Sequence, residues 1–106
     1  MNTESYLAEF LDDIDETLQA EGMILVGHFV WILRGMERGL SDAQMQALSE
    51  QAYPVVRERY RTRLMWSGWP IDLASAKPAS ESTALAFDLD PDASVHTPVL
   101  VLVLLD

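Results

Sequence analysis

Val99–Leu105 is the segment that most constrains this chain. It is an unbroken apolar run rich in valine. A strand that is apolar at every position needs cover on both faces. It therefore packs under helices, gains a neighbour strand, or pairs with a second copy of the chain. At seven residues it is far shorter than the roughly 20 needed for a helix to span a bilayer. The other long apolar stretch, Met23–Leu33, is interrupted by Gly27 and His28 and is also too short. Neither points to a membrane partner.

The rest of the chain offers helices to cover that strand. Leu7, Phe10, Leu11, Ile14 and Leu18 recur at i, i+3, i+4 and i+7, which predicts an amphipathic helix over 4–20. Thr3 is its expected N-cap and Gly22 its stop. Residues 23–38 carry two signals. Ile24, Val26, Val30 and Ile32 suit a strand. Val26, Phe29, Val30, Leu33 and Met36 lie at helical spacing. A mostly buried helix over 23–33 is preferred, with Trp31 in the core and Gly39 as the stop, and a strand is the alternative. Ser41 and Gln44 then form an S-x-x-Q capping box, with Leu40 and Met45 at the staple positions. The helix that follows is expected to kink or break near Tyr53, because of Pro54, and to continue to about Met65.

Beyond it the period changes. Residues 67–82 read as a loop. Leu85, Phe87 and Leu89 alternate with Ala84, Ala86 and Asp88, as in a half-buried strand. The simplest partner for Val99–Leu105 is this strand, across the turn-rich residues 90–94. The expected fold is α+β: one domain over 1–106, with two to three N-terminal helices packed on a small C-terminal antiparallel hairpin. A two-stranded hairpin is marginal alone, which makes a homodimer an expectation as well.

Charge narrows the function. The net charge is −10, which opposes nucleic acid and anionic membrane surfaces and favours a basic partner. The first 33 residues hold seven acids and no Lys or Arg. Glu9, Asp12, Asp13 and Glu16 cluster opposite the apolar stripe of the first helix. The bland reading of that face is a solvated surface. The functional one is a docking surface, and the absence of opposite charge favours it, since ordinary solvated helices mix signs to gain i, i+4 pairs. Arg57, Arg59, Arg61 and Arg63 do not form one helical stripe. They read as an internal counterweight to the acidic helix rather than a phosphate-binding site.

Nothing points to catalysis, metal or cofactor. There is no cysteine, which fits a reducing cytoplasm. Asp88, Asp90 and Asp92 have the spacing that opens a calcium loop, but Ala93 and Val99 stand where Gly and Glu are needed. His28 and His96 lack convergent partners, and no nucleophile elbow or phosphate loop is present. Trp66 and Trp69 flank Gly68 in an expected loop, where they could anchor an interface. The expectation is a small acidic protein-binding module of the inhibitor, immunity-protein, antitoxin or phage-antagonist kind, not an enzyme. It would bind a protein through Glu9, Asp12, Asp13, Glu16, Trp66 and Trp69. The alternative is a structural or adaptor subunit that self-associates through its apolar C-terminal strand.

Overall fold

The computed structural model describes residues 3–68, 70–88 and 97–105. Its first element is the helix α1, Thr3–Glu21. Phe10, Leu11, Ile14 and Leu18 are buried, as their spacing requires. Thr3 lies inside the helix rather than before it. Gly22 adopts φ 74°, and its N–H donates to the Leu18 carbonyl at 2.8 Å. The left-handed turn is open to glycine at little cost. It sends the chain directly into the strand β1, Met23–Leu25.

A continuous helix over 23–33 therefore does not form. The segment is divided, with three residues in β1 and the helix α2 over His28–Gly35. Both signals in the sequence were real and belonged to different halves. Ile24 and Leu25 supply the strand, while Phe29, Val30 and Leu33 are the buried face of the helix. The helix also ends before Gly39. Glu37 is already left-handed at φ 53°, and Gly39 follows at φ 69°.

The helix α3 spans Asp42–Arg59. Its capping box is complete. The Gln44 N–H donates to Ser41 Oγ at 3.1 Å, and the Ser41 N–H donates to Gln44 Oε1 at 2.8 Å. Pro54 sits inside the helix and does not end it. Pro54 and Glu50, whose carbonyl loses its donor, are both exposed, so water can take the vacant acceptor. The helix stops at Arg59 and does not reach Met65, because Tyr60 turns extended at φ −129°.

Three more strands follow: β2 at Thr62–Ser67, β3 at Lys77–Pro78 and β4 at Val99–Leu104. All pairings are antiparallel, in the order β1-β4-β2-β3. The expected hairpin is thus replaced. β4 pairs with β2 from Thr62↔Leu104 to Ser67↔Val99, and with β1 from Met23↔Val103 to Leu25↔Val101. Leu85 and Phe87 form no strand. They pack against the core instead, and the Val30 N–H donates to the Phe87 carbonyl at 3.0 Å. The fold class is α+β, with helices packed on an antiparallel sheet.

The sheet has two unlike faces. Ile24, Leu64, Leu100 and Leu102 point inward and join Phe10, Ile14, Phe29, Leu48 and Val56 in the main core. The alternate residues, among them Leu25, Met65, Val101 and Val103, point to the outer face. Leu25 and Val101 are buried there. The two-sided cover that an apolar strand demands is thus met by helices within and, in part, by Leu73 and Ala76 outside.

Candidate functional site

The acidic face of α1 is placed as its spacing predicts. Asp12 and Glu16 are exposed, and Glu9 and Asp13 are half-buried. The structure separates these acids by partner. Glu9 receives both contacts of Arg38 Nη2, at 2.8 and 2.9 Å. On the flank of the same helix, Asp15 is held by Arg59 at 3.0 Å. Elsewhere, Arg34 grips Asp88 with two bonds of 3.1 and 2.7 Å, and Arg57 pairs with Glu81 at 2.7 Å. Among the described residues no ion pair reaches Asp12, Asp13 or Glu16.

That imbalance appears in Asp13 itself. Its carboxyl titrates above the ordinary value, first through desolvation by burial and then through repulsion from Glu16, Glu9 and Asp12. A carboxylate surrounded by like charge favours its neutral form. A cation brought to this face would relieve that repulsion.

The arginine counterweight is real in part. Arg59 bridges to α1, but Arg57 turns to Glu81 and also donates to the Tyr53 hydroxyl at 2.9 Å. The four arginines do not even share one element. The helix ends at Arg59, and Arg63 lies in β2.

The tryptophans are rearranged. Trp66 is not in a loop. It is a residue of β2, half-buried against the core, paired with Leu100 on one side and Lys77 on the other. Trp69 lies outside the described residues, as do Asp90, Asp92 and His96. Trp31, expected in the core, is 61% exposed and stacks on the half-buried His28 at 5.9 Å. The helical phase could have shown this. Phe29, Val30 and Leu33 span an arc of about 100°, and Trp31 falls about 100° beyond it.

The described residues contain no group of three or more His, Cys, Asp or Glu able to hold a metal. Asp88, the first residue of the calcium-like spacing, is engaged by Arg34. Burial lowers the His28 imidazole below its ordinary value. One cleft of about 200 Å³ lies between Leu33, Arg34, Arg38, Leu40 and Met45. Another of about 130 Å³ lies on the outer sheet face. Neither is lined by histidine. No described helix is long and apolar enough to cross a membrane. No protein family, curated protein or solved structure matches the chain.

Proposed function

We propose that this chain is a protein-binding module of the inhibitor or antagonist kind, which docks on a basic protein surface through α1. The carrying observation is the clustering on one helix face of acids that no arginine neutralises. Glu9, Asp15, Glu81 and Asp88 each have one, whereas Asp12, Asp13 and Glu16 have none among the described residues. Glu9 sits at the edge of the patch, where Arg38 can release it to a competing cation. Exposed pairs of this kind are worth little, so exchanging one for an intermolecular pair costs little. The unpaired acids supply long-range steering and register. Trp66, fixed in the sheet, contributes through the scaffold rather than as a projecting anchor. The lack of cysteine suits a reducing cytoplasm, where we expect the protein to act.

The test is affinity capture with the tagged chain at low and high salt, beside the triple variant Asp12→Asn, Asp13→Asn, Glu16→Gln. A basic partner held at low salt should be released at high salt. The triple variant should bind it about tenfold or more weakly. Capture that is indifferent to both salt and the triple variant would overturn the reading.

A further inference from the structure

The outer face of the sheet has a composition unlike the rest of the molecule. It is built from Met23 and Leu25 of β1, Arg63, Met65 and Ser67 of β2, Pro78 of β3, and Val99, Val101 and Val103 of β4. None of these is acidic, in a chain with 17 Asp and Glu. Residues 72–76 close over part of this face, where the Asp72 N–H donates to Ser67 Oγ at 3.2 Å. They leave a cleft of about 130 Å³ lined by Arg63, Met65, Leu73, Ala76, Val103 and Leu105. Met23, Met65, Val99 and Val103 remain only half-buried. Two residues on the rim of the cleft, Leu73 and Leu105, are among the three exposed large hydrophobic residues described, at 42% and 36%.

We propose that this face is a homodimer interface, in which Leu73 or Leu105 of each copy enters the cleft of the other. Three features select a second copy as the occupant. The face carries both a socket and its plug, the self-complementarity that a two-fold contact requires. Its described strand residues carry no acid to repel an equally acidic copy, and Asp72 beside Leu73 is the exception in the covering segment. The acidic helix lies on the opposite side of the sheet, so back-to-back pairing keeps the two α1 helices far apart, where screening is strongest. A basic protein, by contrast, is drawn toward α1. The contact is made face to face. β4 has β1 on one edge and β2 on the other, so it has no free edge for strand addition. The dimer presents two acidic faces pointing away from each other, and the inference holds whether or not α1 binds a partner.

Molar mass by light scattering at high micromolar concentration tests it. The wild-type chain should show twice 11.9 kDa, and the dimer should persist or tighten as salt rises to about 0.5 M, because salt screens like-charge repulsion and leaves apolar contact intact. Leu73→Glu with Leu105→Glu should give a monomer that keeps the circular dichroism of the folded chain, since both side chains are partly exposed, and its melting temperature should lose the concentration dependence of the wild type. Trp31→Glu, on the helix side, and the triple variant of α1 should both remain dimeric. A monomeric wild-type chain, a dimer that survives the leucine changes, or one that Trp31→Glu disrupts would each overturn the proposal. Loss of partner capture in the α1 variant without loss of the dimer separates this interface from the docking reading.

Discussion

Phe29 ties four parts of this fold together. Its ring meets Phe10 edge-on at 5.7 Å, Phe87 at 5.4 Å and Tyr53 at 6.4 Å, joining α1, α2, α3 and the segment before β4. Truncating a buried phenylalanine to alanine costs about 3–5 kcal/mol, out of roughly 5–15 for a whole domain. Phe29→Ala should therefore shift the urea midpoint sharply downward. Trp31→Ala, two residues on, should change stability by less than about 0.5 kcal/mol. The contrast between these neighbours follows from helical phase alone. His28, stacked on Trp31, offers an optical readout. Its folded-state pKa lies below the ordinary 6.5 because burial disfavours the cation. The stability it contributes is present above 6.5 and is lost as pH falls through the lowered value. With Trp66 and Trp69 replaced by phenylalanine, Trp31 emission should fall over that acidic range as imidazolium forms beside it. His28→Gln should remove the step, and a step that persists would mean that another group causes it.

At the scale of elements, local signals with a defined geometry were the ones that could be read. The capping box needs only Ser41 and Gln44 at a fixed spacing, and both bonds are present. Ser41→Ala should cost about 1 kcal/mol in thermal or urea unfolding. The acidic face of α1 was legible for the same reason, since a helical repeat places charge as surely as it places leucine. Elements without room for a period were not. β1 has three residues, fewer than two full alternations, and its apolar composition merges with α2. β2 was hidden because the helix was carried on to Met65, although the i, i+2 spacing of Arg61 and Arg63 suits a strand and not a helix face. Its period-2 signal was nonetheless present in Leu64 and Trp66, which turn inward while Arg63 and Met65 turn outward. Leu85 and Phe87 alternate without a ladder. Alternation records which side is buried, not whether a neighbouring strand exists. α1 also shows a conflict between stability and binding. Asp13 is raised above its ordinary 3.8, so the folded state is favoured most below that value and loses the advantage as pH rises through the raised one. Asp13→Asn should thus raise the melting temperature at pH 7, with the gain vanishing near pH 3.8. The same change should weaken partner capture. If the melting temperature instead falls at pH 7, the acids are not in mutual repulsion.

For the molecule as a whole, charge and topology act on different layers. A net charge of −10 on a small domain makes self-repulsion a global cost, and the four described ion pairs offset it only weakly at the surface. Raising salt from low to physiological levels should lift the melting temperature by a few degrees. A fall would show that the arginine pairs outweigh the repulsion. The α+β class was legible from helices preceding strands. The order of the sheet was not, because it depends on pairings between residues as far apart as Met23 and Val103. That order also sets a timetable for the chain as it is made. Among the described strands β4 is made after the other three and lies between β1 and β2, so β1 emerges from the ribosome before the neighbour it joins. At about 5–20 residues per second, some 75 residues separate the two, and the exposed edge of β1 waits several seconds. Throughout that interval α1 and α3 can form, but the platform they rest on cannot. The β1–β4 and β2–β4 ladders can therefore close only after residues 99–104 have been made.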